Sequence, residues 1–427
     1  MTLRRAWRRT GVPAAIAAAL VLAGCTTQAP EPGAGGGGDG AVATDVGATA
    51  DTITLGVLTD TSGPFRNLGT GITQGNQLWA DEINARGGVC GRQIALEIAD
   101  SGYKADTATT VYRQQQPNVL GYLQLLGSPI NAALRGNLET DEVTSLALSW
   151  SSFILDNPYQ IIPGTTYDLE MINGLAYLQQ QGLIADGDTL GHIYIGGEYG
   201  DNGFLGAQYY AQQHGMTVAP AKIAATDTDM TNIVTGFQGT GVDAILLTTT
   251  PAQTASALNA ANALGLDVPV VGNNPVFDPA TNLAGPAAAS VGNLYVVASS
   301  VPYSADVPKA QEVQQAFEAA YPDAAKNYGV PYGYAGGLIW EQILTQACES
   351  GDLTRAGVHD AFVTSENITT DDLVASELDF SQAGSPPSRS VYIAQADPAQ
   401  EGGLRQVVEP FTSPEAESYV APHQQGA

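Results

Sequence analysis

The side chains that most often carry chemistry are sparse and scattered in this sequence. Its four histidines (His192, His214, His359, His423) offer no spacing that would set two of them on one face as metal ligands, and they read as ordinary strand, helix-end and tail residues. There is no Gly-x-x-x-x-Gly-Lys-[Ser/Thr], no Gly-x-Ser-x-Gly and no His-Glu-x-x-His. The pair Gly69-Thr70-Gly71 lacks the third glycine of a dinucleotide loop, and acidic pairs such as Asp371-Asp372 read as solvated surface. No cofactor, metal or catalytic residue is therefore expected. What the sequence does concentrate is Ser, Thr, Asn and aromatic residues in six short segments, 59–69, 127–131, 149–153, 196–202, 248–253 and 272–277. Hydroxyls, amides and rings hold a small molecule by hydrogen bonds and stacking without turning it over.

Those segments recur at regular places in the chain. From Ile53 a β-rich run (Ile53-Thr54-Leu55-Gly56-Val57-Leu58) leads to a helical stretch, 71–86, with Ile72, Leu78, Trp79 and Ile83 on one side. Strands are expected at 94–99, 119–126, 190–195, 217–223, 244–249 and 268–271. Helices are expected at 105–116, 169–181, 203–214, 230–238 and 252–264. Such alternation means parallel sheets with crossover helices, and a length of 427 residues suits two of them. Ligands of doubly wound sheets bind beyond the carboxyl ends of the strands, which is where the six polar segments fall.

The start of the chain is different in kind. Residues 1–24 combine Arg4, Arg5, Arg8 and Arg9 with an apolar run from Val12 to Leu22, too short to span a bilayer, and read as an export signal. Leu22-Ala23-Gly24-Cys25 resembles a bacterial lipobox, with Cys25 diacylated; a plain secretory signal with a chance cysteine is the alternative. Two acyl chains give stable anchoring. Residues 25–50, rich in Gly, Ala, Pro and Thr, read as a flexible tether. Beyond Arg9 the chain carries 12 cations against 43 carboxylates, a net −31. Such a surface repels phosphate backbones, excludes nucleic acid as a partner and favours a monomer.

Thr61-Ser62-Gly63-Pro64-Phe65-Arg66-Asn67-Leu68-Gly69, Gly75 and the run from Asp81 to Arg92 open a longer pattern. It continues through Asp100-Ser101-Gly102-Tyr103, Gly127-Ser128-Pro129, Glu198-Tyr199-Gly200-Asp201, Ala263-Leu264-Gly265-Leu266 and 332–344 (YGYAGGLIWEQIL). In this order, from Ile53 to about Val408, the chain resembles the branched-chain amino-acid type of substrate-binding protein of ABC importers, with the type I periplasmic-binding-protein fold. The resemblance implies an α/β protein of two doubly wound parallel-sheet lobes joined by a three-crossover hinge. Lobe 1 is expected at 51–163 and 300–385, lobe 2 at 164–299 and 386–427, with crossings near Pro163, Ser299 and 385–390.

It also implies a ligand site. Ser128 offers a hydroxyl and its loop offers N–H groups; Ser151 and Ser152 supply further hydroxyl and backbone contacts. Trp150 is either a wall of the pocket or a packed core indole. Tyr199 closes over the ligand, Phe65 and Leu68 form the rim of lobe 1, and Thr249 and Asn274 face them from lobe 2. Where amino-acid binders present an acid to the ammonium, this chain has Asn273-Asn274, which cannot neutralise a cation. An amide, urea derivative or small organic acid is thus expected beside a branched-chain amino acid, unless Glu198 or Asp201 supplies the charge. By the same likeness Cys90 and Cys348 come together; a disulfide is expected in an extracytoplasmic protein, the alternative being two buried free cysteines. The expected partners are a small-molecule ligand, an ABC permease and, through Cys25, the outer face of the bacterial cell membrane. A sensor uncoupled from transport and an exported α/β hydrolase are the competing functions.

Overall fold

The computed structural model describes residues 42–424. Signal, lipobox cysteine and most of the tether lie outside the described residues. The first sheet is all parallel, in the order Gln93–Asp100, Thr52–Thr59, Gly121–Leu126, Ser145–Leu148, Gln160–Ile161. Thr52–Thr59 reads as a nearly continuous apolar run because the strand is covered on both faces: Ile53, Leu55, Val57 and Leu58 are all fully buried. One face carries helices Ala105–Gln115 and Ser128–Asp141, closed over Tyr112, Tyr122, Leu125 and Leu134.

The other face carries helices Arg66–Ala85 and Gly329–Glu349, which approach closely along a line of glycines. A Cβ on Gly333 would lie 2.0 Å from the Ile72 carbonyl oxygen, and one on Gly75 would lie 2.2 Å from that of Val330. Cys90, in the turn after the first of these helices, is bonded to Cys348 near the end of the second, with Cα atoms 6.5 Å apart.

The second sheet runs Leu404–Gln406, Tyr392–Ala396, Leu294–Ala298, Val270–Asn273, Ala244–Thr248, Thr189–Ile195, Thr217–Ile223. Its last five strands are parallel; Tyr392–Ala396 and Leu404–Gln406 add an antiparallel edge. Helices Tyr167–Gln180 and Glu198–Gln213 pack on one face through Leu169, Ile172, Leu175, Ala207 and Tyr210. Two α/β lobes result, each with helices on both faces of a sheet. Where the chain passes between them, Ser299 accepts a hydrogen bond on its Oγ from the Thr165 N–H (2.9 Å) and on its carbonyl from Ala375 N–H (3.0 Å). Gly164 there has φ +153°, and a Cβ would fall 2.3 Å from Ser299 Oγ, so only glycine allows the passages this close.

The expected tether ends earlier than 50. Ala43–Thr44 pairs in parallel with Asp352–Leu353, Ala48 is buried, and the Asp45 carboxylate accepts from the Arg355 backbone N–H at 3.2 Å. Composition misled because small residues pack against a pre-existing surface as readily as they form linkers.

Candidate functional site

Between the lobes lies a space of about 550 Å³, its mouth included, bounded by Phe65, Leu68, Ile72, Tyr103, Leu126 and Gly127 to Ser128. Leu148, Trp150, Tyr167, Tyr199, Asn274-Pro275, Ser300, Tyr328-Gly329 and Tyr332 complete it. Most of these residues sit at carboxyl ends of strands or in the segments that follow. Leu126 and Leu148 end strands of the first sheet, Ser128 opens the helix after Leu126, and Asn274 follows the strand Val270–Asn273.

The aromatic side chains support one another. Trp150 meets Tyr167 and Tyr332 with ring centroids 6.0 and 5.3 Å away, Tyr167 meets Tyr199 edge-on at 4.7 Å, and Phe65 meets Tyr103 edge-on at 4.8 Å. Tyr199 donates to the Thr249 carbonyl (3.1 Å), Tyr332 to the Pro163 carbonyl (3.0 Å) and Tyr328 to Asn274 Oδ1 (2.9 Å). Tyr167 shares a 3.5 Å contact with Ser128 Oγ, which in turn accepts from Ser149 Oγ at 2.9 Å. Burial holds the phenols of Tyr103, Tyr167, Tyr199, Tyr328 and Tyr332 above the usual range, so all five are neutral at physiological pH. Two bonds draw the lobes together at the rim, Tyr328 to Asn274 and Asn67 Nδ2 to Asp278 Oδ2 (2.8 Å).

Six of the nine sequence-expected ligand residues, Phe65, Leu68, Ser128, Trp150, Tyr199 and Asn274, line this one space. Three do not. Ser151 Oγ caps the short 3-10 helix Ser152–Ile154 by accepting from the Phe153 N–H, and Ser152 Oγ donates to Asp168 (2.7 Å) while accepting from Asn202 (2.6 Å). Thr249 turns its hydroxyl to Thr254 (2.8 Å) and acts behind Tyr199 through its carbonyl. In each case the hydroxyl satisfies a buried partner nearby, which position in sequence does not reveal. Asp201 is engaged by Lys222 at 2.8 Å, and Glu198, its carboxyl raised by burial, is not among the residues bounding the space.

Sequence reasoning passed over Tyr103, Tyr167, Tyr328 and Tyr332. Tyr332 and Tyr103 stood inside noted motifs; Tyr167 and Tyr328 carry no local signal and reach the space only because two helix starts converge there.

A model of the family described as periplasmic binding protein matches residues 52–403. The chain belongs to the periplasmic binding protein family. Members of this family are extracytoplasmic proteins that bind small molecules for ABC transporters. Among solved structures, a fatty acid ABC transporter substrate-binding protein from Thermomonospora curvata shares 35% identity over 88% of this chain and 97% of its own, with a TM-score of 0.85. A branched-chain amino acid ABC transporter protein from Thermus thermophilus, solved with bound valine, shares 17% identity over 86% and 98% of the two chains, with a TM-score of 0.74. The branched-chain amino acid transporter substrate-binding protein of Streptococcus pneumoniae, in complex with isoleucine, shares 21% over 84% and 99%, with a TM-score of 0.69. No curated protein sequence shows significant similarity. Among the described residues no helix is long and apolar enough to cross a membrane.

Behind the cleft of this periplasmic binding protein sits an unusual carboxyl. Glu170, fully buried, accepts through Oε2 from Asn273 Nδ2 (3.2 Å) and from the Asn274 N–H (3.1 Å), while Oε1 has no partner among the described residues. Desolvation holds its pKa well above the ordinary carboxyl value against those two bonds. A folded value above the unfolded one means stability that is complete below the unfolded pKa and lost as pH rises through the folded one. Glu170→Gln is therefore expected to stabilise the protein by on the order of 1–2 kcal/mol at neutral pH. The gain should grow as pH rises above the unfolded carboxyl value in urea titrations; a gain independent of pH would show that Glu170 titrates normally.

Proposed function

We propose that this protein binds a monocarboxylate with an apolar body, of the medium-chain fatty-acid kind, and delivers it to an ABC permease. The observation that carries the reading is the composition of the cleft wall: no Lys, Arg, His, Asp or Glu is among the residues bounding it. An α-amino acid would bury its ammonium there without a counter-charge, at a cost of several kcal/mol. A carboxylate asks only for N–H and O–H donors. The first turn of helix Ser128–Asp141, a full-length helix, begins at the cleft, and the Ser128 hydroxyl lies beside it. Aliphatic and aromatic side chains over most of the remaining wall suit a hydrocarbon chain. The fatty-acid name borne by the 35%-identical Thermomonospora curvata protein agrees with this reading. Lipid attachment at Cys25, supported by the lipobox-like residues before it, would hold the protein at the outer face of the cell membrane.

Isothermal titration with a homologous series tests it. From butanoate upward, affinity should rise about fourfold per methylene, the equivalent of about 0.8 kcal/mol, until the space is filled. Ser128→Ala should weaken every acid of the series by a similar factor, because the head and not the chain loses a partner. Tight binding of leucine, with octanoate silent, would overturn the proposal.

A further inference from the structure

Five tyrosines line the cleft, and four of them spend their hydroxyls on protein partners: Tyr167 on Ser128, Tyr199 on Thr249, Tyr328 on Asn274 and Tyr332 on Pro163. Tyr103 is the exception. Its backbone N–H donates to Ser101 Oγ (3.2 Å), and its hydroxyl has no partner among the described residues. We propose that the Tyr103 hydroxyl is a specificity-determining contact that donates a hydrogen bond to an acceptor oxygen of the bound molecule at the Ser128 corner of the cleft.

The backbone supports this independently. Gly102 and Tyr103 have φ of +57° and +59°, and the Lys104 N–H returns to the Ser101 carbonyl at 3.2 Å. This is a type I′ turn, in which both central positions favour Gly, Asn or Asp. A bulky aromatic residue at positive φ is held there against its own preference, and such strain gathers at functional sites. The turn is pinned on both sides: Asp100 Oδ1 accepts from the Thr61 and Gly102 N–H groups (2.8 and 3.0 Å), its Oδ2 from Ser62 Oγ (2.6 Å), and Ser101 Oγ donates to the Thr59 carbonyl (3.0 Å). Those bonds fix the loop whatever residue follows Gly102.

The ring is equally placed. It packs edge-on against Phe65, and its Cε2 occupies the space over Gly127, 2.6 Å from where a Cβ on that glycine would sit. Gly127 immediately precedes Ser128 and the helix N-terminus, so the phenol lies across the corner where a carboxylate head is proposed to bind. Kept neutral by burial, and further by the negative charge of Asp60 nearby, the phenol has a proton to give, and no charged residue is among those bounding the cleft.

The inference rests on the carboxylate reading only in its choice of probe. Octanoate and leucine are titrated into the wild-type chain, Tyr103→Phe and Tyr103→Asn, with unfolding temperatures measured without ligand. Tyr103→Phe removes only the oxygen and should fold with an unchanged unfolding temperature. In Tyr103→Asn the relief of positive φ is offset by loss of the ring against Phe65, so its unfolding temperature should change little or fall. Both should bind octanoate about tenfold more weakly or worse. Equal octanoate affinity in wild type and Tyr103→Phe overturns the role of Tyr103 and leaves the carboxylate reading standing. Leucine bound in place of octanoate, and lost in Tyr103→Phe, upholds Tyr103 and overturns the carboxylate reading. Affinity losses that merely track lower unfolding temperatures in both variants make Tyr103 structural and overturn the inference, as does wild-type protein that binds neither probe.

Discussion

Gly333→Val is expected to destabilise the protein by about 4 kcal/mol or more, enough to remove most of the stability of an ordinary domain. Helices Arg66–Ala85 and Gly329–Glu349 meet backbone to backbone at this point, and the nearest atom to a new Cβ is the carbonyl oxygen of Ile72 at 2.0 Å. A main-chain oxygen cannot rotate away as a side chain would, so the helices must separate. The same contact line includes Gly75 against Val330 and Gly337, whose Cβ would fall 2.1 Å from Trp79 Cγ. Separation would also pull on the Cys90–Cys348 link. Urea unfolding followed by circular dichroism gives the number, and a loss under 1 kcal/mol would mean the helices slide apart freely. Gly336→Ala, on the same helix but with no atom outside that helix nearer than 3.7 Å to its Cβ, is the control and should keep or modestly raise stability, by up to about 1 kcal/mol.

The second large effect is on acid stability. His192 is fully buried on the strand Thr189–Ile195, and desolvation lowers its pKa from 6.5 to about 3. Its Nε2 lies 3.0 Å from Thr248 Oγ1, whose own proton goes to Asn273 Oδ1 (2.8 Å), so Nε2 carries the imidazole hydrogen and Nδ1 has no partner among the described residues. The unfolded chain therefore takes up a proton before the folded one. Stability from this residue is complete above pH 6.5 and is lost as pH falls toward 3. At pH 4 the loss is roughly 3 kcal/mol, each pKa unit being worth about 1.4. His192→Gln keeps a donor for Thr248 and cannot titrate, so its stability relative to wild type should rise as pH is lowered from 7 to 4. The comparison at each pH cancels Glu170, whose own titration has the opposite sign. Parallel profiles for the two proteins would show that His192 is protonated normally in the fold.

Much of the fold was legible in sequence because it is written in local pattern. The strand–helix alternation from Ile53 to Val271 needs only periodicity, and the expected strands fall close to those observed. Helix starts were harder. The helix expected from Gly71 begins at Arg66, because Gly69 and Gly71 serve close packing: a Cβ on Gly69 would lie 2.1 Å from the Asp60 carbonyl oxygen. The antiparallel edge formed by Tyr392–Ala396 and Leu404–Gln406 went unforeseen, since its short strands are defined by their partner Leu294–Ala298 rather than by their own pattern.

The candidate site divides in the same way. Strand ends of a doubly wound sheet pointed to the segments, and the family resemblance picked out Phe65, Leu68, Ser128, Trp150, Tyr199 and Asn274 within them, all of which bound the one space. Ser151, Ser152 and Thr249 lay on equally suitable segments, yet their hydroxyls are taken by Phe153, Asp168 and Thr254. By itself the sequence determined class, family and the absence of an acid at Asn273-Asn274, all of which depend on residue type and order along the chain. Only the tertiary structure decided which hydroxyls remain free and which side chains from distant segments, Tyr103 and Tyr328 among them, share a wall. Hydrogen-bond saturation and burial are properties of neighbours in space, and contacts between residues more than 200 positions apart leave no trace in local spacing.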